Sequence, residues 1–118
     1  MGGTPKITRI EVHRFEYEVL DMAPGKLGST YTPGSKMKRE AHAIRILTDA
    51  GVAGEFVGGS AVDYAALPGF VRLLIGANAL ERERLYTEIK RLTRQQARIG
   101  IAPVDIALWD LAGKYHDA

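Results

Sequence analysis

An α+β fold, with three antiparallel strands first and helices after them, is what the sequence predicts, and three observations carry that expectation. Ile7 to Val19, Ala41 to Thr48 and Val52 to Val57 are runs rich in β-branched and aromatic residues. The second and third are joined by Thr48-Asp49-Ala50-Gly51, which suits a tight hairpin turn with Gly51 at positive φ and Asp49 bonding local amides. After Gly58-Gly59 the apolar spacing switches to the helical period, and strands followed by helices make the α+β pattern. One domain spanning 1–118 is expected, because 118 residues with 46% hydrophobic and 25% charged side chains can bury a core unaided.

In the first strand, Ile10 and Val12 share one parity whereas Phe15, Tyr17 and Val19 share the other. That implies a bulge or a change of packing partner near His13 and Arg14. From Leu20 to Arg39 the chain holds Pro24, Pro33, Gly25, Gly28 and Gly34, which reads as a long loop. Ala61 to Ala66 and Gly69 to Ile75 form two helical pieces divided by Pro68. Asn78 with Glu81 three residues on suits the cap of a helix running to about Arg94, whose stripe is Leu85, Ile89 and Leu92. The last helix runs over 102–116, with Pro103 tolerated in its first turn.

Composition excludes several function classes. With no cysteine, the chain has no disulfide framework, thiolate zinc site or cysteine nucleophile. Sixteen Lys and Arg against fourteen Asp and Glu leave +2, spread evenly over both halves, so no basic arm for nucleic acid stands out. The N-terminus has no apolar run suited to a signal peptide, Lys6 breaks the myristoylation pattern, and nothing approaches the ~18 apolar residues of a membrane span. A cytoplasmic protein is expected, with no membrane and no nucleic-acid partner.

Few residues suggest chemistry. His13 and His42 can meet across a sheet, but two imidazoles without a third ligand make a poor metal site. Asp105 and Asp110, five apart on a helix, point about 140° from each other and cannot share a site; Asp110 suits a pair with Lys114. Gly58-Gly59-Ser60 could present amides to an anion, or form a plain strand-to-helix turn. Arg82, Arg84, Lys90, Arg91, Arg94 and Arg98 alternate with glutamates, as on a solvated helix face. The basic 20–39 loop suits a lid over an anionic small molecule, or a flexible connector.

The last helix has two apolar faces. Ile101, Val104, Leu108, Leu111 and Tyr115 lie on one, while Ile106 and Trp109 lie on another. The second face needs a cover, so the chain alone is expected to self-associate or to bind a hydrophobic dye.

The segment Ala102-Pro103-Val104-Asp105-Ile106-Ala107-Leu108-Trp109-Asp110-Leu111-Ala112-Gly113-Lys114 closely resembles the helix that leads into the barrel of the enolase superfamily, in its mandelate racemase and muconate lactonizing branch. The order of Ile7-Thr8-Arg9-Ile10-Glu11-Val12, a long loop, the hairpin through Gly54-Glu55, and the helices through Ile75-Gly76 and Leu85-Tyr86 agrees along nearly the whole chain. The resemblance implies an N-terminal capping domain over the mouth of a (β/α)-barrel that this chain lacks, in a parent that is a homo-oligomer. It also implies a parent reaction in which a proton next to a carboxylate is removed and Mg²⁺ stabilises the enediolate, as in a dehydratase, racemase or cycloisomerase.

The bases and metal ligands of that family belong to the barrel, so no catalytic residue and no metal site is expected in this chain, which alone should be inactive. The resemblance carries over only the lid: Leu20 to Arg39 and the shorter loop around Phe56 to Ser60. Within it Tyr31 is expected to shape the cavity, Lys36 to meet the charge of a small carboxylate substrate such as a sugar acid, and Phe56 to wall off solvent. Lys38 and Arg39 suit anchors, and Glu55 either lines the cavity or makes a structural hydrogen bond. A rival reading is a stand-alone binding module that holds an anionic ligand or nucleic acid with the basic loop.

Overall fold

A computed structural model describes residues 4–94 and 100–117. Strands β1 (Ile7–Gly25), β2 (Gly28–Thr48) and β3 (Ala53–Val57) precede the helices α1 (Ala61–Ala66), α2 (Val71–Leu74), α3 (Arg82–Leu92) and α4 (Ile101–Asp117), with a 3₁₀ turn over Leu67–Gly69 between α1 and α2. The sheet is antiparallel in the order β1-β2-β3, as expected for the α+β class.

The phase change in β1 is not a bulge: the apolar residues change face where the strand leaves the core, and Phe15 and Tyr17 are exposed. The ladder is unbroken from Arg9–Leu47 to Leu20–Lys36, with no bulge at His13 or Arg14; the slips fall at Thr8 and Asp21. Ile10 and Val12 pair with Ile46 and Ile44, whose side chains are fully buried under the helices. Phe15, Tyr17 and Val19 pair with Ala41, Arg39 and Met37 on the opposite side of the same ladder, since residues of opposite parity point to opposite faces.

The expected loop over Leu20 to Arg39 is instead the outer part of the β1–β2 hairpin, turning at Lys26-Leu27. β3 pairs only with Ala43 to Leu47, so beyond that point the sheet narrows to a two-stranded ribbon. In a ribbon each strand has a free edge, where the missing amide of a proline breaks no ladder bond. Pro33 and Gly34 lie in a register slip in which Asp21 alone opposes Thr32 to Ser35. Gly34 has φ +84° and its amide donates to Asp21 Oδ1 at 2.9 Å, while Asp21 itself has φ +61°.

The helices cover one face of the sheet. Ile44, Ile46, Phe70, Leu74, Leu85, Ile89, Val104, Leu108 and Leu111 are buried together. Glu81 precedes α3 but forms no capping box with Asn78: Asn78 Oδ1 accepts from the Leu80 amide at 2.9 Å, and Glu81 pairs with Arg84 at 2.8 Å. Leu85 and Ile89 are buried as expected, but Leu92 is exposed and the helix ends there. Thr93 takes the inward place, its hydroxyl donating to the Ile89 carbonyl at 2.8 Å. No helix among the described residues is long and apolar enough to cross a membrane.

Candidate functional site

The base of the ribbon and the β3–α1 connection are positioned by α4. Gly54 lies under the α4 backbone, so closely that a Cβ there would stand 2.0 Å from the Ala107 carbonyl oxygen. Next to it, the Glu55 amide donates to Asp110 Oδ2 at 2.9 Å and Lys114 Nζ donates to the Ala53 carbonyl at 3.2 Å. Asp110 and Lys114 also pair with each other at 2.8 Å, one turn apart, as the sequence suggested. Glu55 takes the structural option: its carboxylate meets Lys114 at 3.2 Å and Arg45 at 3.1 Å. The hydrogen bond from Lys114 and that from the Glu55 amide hold the Asp110 carboxyl below its ordinary value of 3.8, and the same contact with Asp110 raises Lys114.

A depressed carboxyl stabilises the fold fully above its unfolded value, and that contribution disappears as pH falls through the lower native one. Asp110→Asn is therefore expected to cost about 1 kcal/mol at pH 7, discounted for its partly exposed setting, and almost nothing near pH 2. Denaturant titrations at both pH values measure this; an equal loss at both would refute it.

The β3–α1 connection is fixed from several directions. Gly58 and Gly59 have φ +147° and +87°, conformations that L side chains rarely adopt. The Tyr64 hydroxyl donates to the Gly58 carbonyl at 2.6 Å, and the Gly58 amide donates to the His42 carbonyl at 2.8 Å. Ser60 and Asp63 form a reciprocal capping box, with the Ser60 amide on Asp63 Oδ2 at 3.0 Å. Asp63 Oδ1 accepts from the Gly100 amide at 3.2 Å, tying the start of α1 to the start of α4. Led by the bond from the Ser60 amide, these bonds lower the Asp63 carboxyl, while burial and the nearby Asp63 charge raise the Tyr64 phenol.

The Gly58 and Ser60 amides thus bond within the protein, which is the plain-turn alternative rather than an anion cradle. Asp63→Ala leaves the Ser60 cap on the residue-63 amide but removes the acceptor of the Ser60 and Gly100 amides, and is expected to cost about 1 to 2 kcal/mol, read as a fall in thermal midpoint; an unchanged midpoint would show these bonds to be idle. The Ser60-x-x-Asp63 spacing was the available sequence signal for this anchor. Tyr64 had none.

The remaining residues of interest are spread out. His13 and His42 do not meet: His13 opposes Ala43 and His42 opposes Arg14, which puts the two rings on opposite faces. His13 lies 3.3 Å from Glu11, and buried His42 stacks on Tyr64 with centroids 5.2 Å apart. Tyr31 and Lys36 are exposed on the ribbon, Lys36 at 4.0 Å from Glu18. Lys38 and Arg39 belong to β2 itself. Phe56 is half-buried and packs against the core, opposite Ile44. Eight residues of β2 separate Ile44 from Lys36, roughly 26 Å at strand rise, so Phe56 and the ribbon pair are not gathered into one pocket. Among the described residues no three His, Asp or Glu side chains converge as metal ligands would.

The comparisons agree with this architecture. A D-galactarolactone cycloisomerase of Agrobacterium fabrum (strain C58 / ATCC 33970) is 27% identical over 122 residues, covering 96% of this chain and 30% of the relative. The crystal structure of a D-glucarate dehydratase from Agrobacterium tumefaciens, complexed with magnesium, superposes with a TM-score of 0.76 at 28% identity, over 94% of this chain and 30% of that one. The 3,6-anhydro-D-galactonate cycloisomerase from Zobellia galactanivorans gives 0.72 at 27% identity, over 94% and 29%. This chain thus spans under a third of the length of these relatives. The profile of the mandelate racemase / muconate lactonizing enzyme N-terminal domain matches residues 20–118, and the chain belongs to that family.

Proposed function

We propose that this chain is the capping domain of a longer enzyme, closing over the mouth of a (β/α)-barrel and selecting a small carboxylate substrate such as a sugar acid. The observation that carries this reading is the ribbon: two strands that outrun β3 and the helices, held at their base by a tightly bonded β3–α1 connection. Barrel enzymes place their chemistry at the C-terminal ends of the strands, where overhead segments exclude water and choose substrates. Relatives named for sugar-acid dehydration and for lactone cycloisomerisation support a parent reaction of proton removal beside a carboxylate.

In this reading Tyr31 contributes shape at the outer ribbon and Lys36 contributes charge. Lys36 suits an anionic ligand because its exposed, long contact with Glu18 is weak and easily exchanged. Phe56, packed against the core at the base of the ribbon, walls off solvent there rather than meeting the same ligand as Lys36. The magnesium of the proposed parent does not fit the residues of this chain, whose described carboxylates and histidines do not converge, and it belongs with the bases in the barrel. What these residues do is therefore confined to binding, orientation and exclusion of water.

Two measurements test the proposal. The purified chain, assayed with Mg²⁺ and a panel of sugar acids, is expected to give no turnover; clear activity that follows the protein through purification would overturn it. In a longer protein carrying the barrel, Lys36→Ala is expected to raise KM for an anionic acid about tenfold with kcat nearly unchanged. A loss confined to kcat would remove Lys36 from substrate binding.

A further inference from the structure

The outer part of the ribbon is bent back toward the inner part. Arg39 Nη2 donates to the Ser29 hydroxyl, although in the ladder Arg39 stands opposite Tyr17 and Ser29 opposite Pro24. The rise from Tyr17 to Pro24 along a straight strand is roughly 23 Å. An arginine and a serine joined by one hydrogen bond span at most about 12 Å between their Cα atoms. With arms of roughly 13 and 10 Å on either side of the register slip, a right angle would still leave about 16 Å, so the arms meet more sharply than that.

The slip supplies the bend. Asp21, at φ +61°, stands alone against Thr32 to Ser35, and Gly34, at φ +84°, donates its amide to Asp21 Oδ1 at 2.9 Å. Left-handed residues on both strands turn the chain where a continuous ladder would run on. Val19, Met22, Ala23, Ser29 and Met37 are half-buried although they lie beyond the pairing range of β3, which agrees with two arms lying against each other. Beyond the slip, Met22 to Gly25 pair with Gly28 to Tyr31, so the outer hairpin moves as one piece, with Tyr31 two residues from Ser29.

Arg39 is exposed and makes no ion pair among the described residues, whereas Arg14 has Glu40 and Lys36 has Glu18. Its guanidinium goes instead to a neutral hydroxyl on the other arm. We propose that Arg39 is a positioning residue: through Ser29 it clasps the outer hairpin in its bent form, and so sets where Tyr31 stands over the substrate. The substrate part of this role rests on the capping reading, whereas the clasp does not.

The clasp is tested on this chain. It has no cysteine, so spin labels at Leu27→Cys, exposed at the tip, and Val57→Cys, exposed on β3 opposite Ala43, report the distance between tip and base. Arg39→Ala and Ser29→Ala are each expected to lengthen and broaden that distance by about 10 Å with an unchanged circular dichroism spectrum, while Ser29→Thr, which keeps the hydroxyl, holds the parent value. An unchanged distance in both alanine variants overturns the clasp. No substrate is involved, so that failure leaves the capping reading untouched, whereas turnover by this chain alone strikes the capping reading.

The positioning role is tested in a longer protein carrying the barrel. Arg39→Ala and Ser29→Ala are each expected to raise KM about fivefold with kcat nearly unchanged, and the double variant no further than either alone, because both act through one bond. Ser29→Thr should stay close to the parent. A rise confined to Arg39→Ala would mean that its charge meets the substrate directly. Constants untouched in both variants, with the distance lengthened, would mean that the hairpin's aim does not select the substrate. Either result overturns the role.

Discussion

Gly54→Ala is expected to destabilise the domain by about 3 kcal/mol and to lower its thermal midpoint by about 10 °C or more. The added methyl has nowhere to go: it would stand 2.0 Å from the Ala107 carbonyl oxygen and 2.7 Å from Leu111 Cβ, and the first of these is backbone in the middle of α4. To admit it, α4 must lift away from β3. Lifting α4 also lengthens the bonds from Asp110 to the Glu55 amide and from Lys114 to the Ala53 carbonyl. A midpoint within about 2 °C of the parent would mean that the helix and strand are not docked this closely.

Phe70→Ala is expected to cost about 4 kcal/mol, the usual range for emptying a fully buried aromatic site. Phe70 sits between the 3₁₀ turn and α2 and reaches the Gly100 bend, where a Cβ would stand 3.2 Å from its ring. Its short flanking helices have little intrinsic stability, so they cannot close the cavity without losing their own packing. Against the 5 to 15 kcal/mol of an ordinary domain, the variant retains a small margin and should melt broadly or at low temperature. Equilibrium denaturation by urea measures the loss; a cost under about 1 kcal/mol would show that the site collapses around the smaller side chain.

Much of this architecture was legible in the sequence because the relevant signals are local. The tight turn with Gly51 at φ +78°, the break around Pro68, the pairing of Asp110 with Lys114 and the two-sided α4 all follow from spacing and side-chain chemistry. The ribbon was not legible. Proline and glycine at 24, 25, 28, 33 and 34 are strand breakers in a sheet interior, and only a long-range fact, that β3 stops short, makes these positions tolerable. Asp49 misled for a related reason. Its side chain accepts from the Lys6 amide at 2.9 Å, forty-three residues away, rather than from its own turn. The candidate site divides in the same way: the capping pair at Ser60 and Asp63 has a sequence spacing, whereas the bond from Tyr64 to Gly58 exists only once β3 and α1 have met.

The side chains of Asp110 and Lys114 have a further effect on how molecules can join. By occupying the outward amide of Glu55 and the outward carbonyl of Ala53, they interrupt the row of partners that the start of β3 would offer an incoming strand. At the opposite border, Ile7 is already bonded to Ala77 and Gly76, but β1 onward from Arg9 has no neighbour among the described elements. At the three-stranded base, sheet growth by a recruited peptide or by unwanted aggregation is thereby directed to the β1 border, while the ribbon beyond Ala43 keeps both of its edges open.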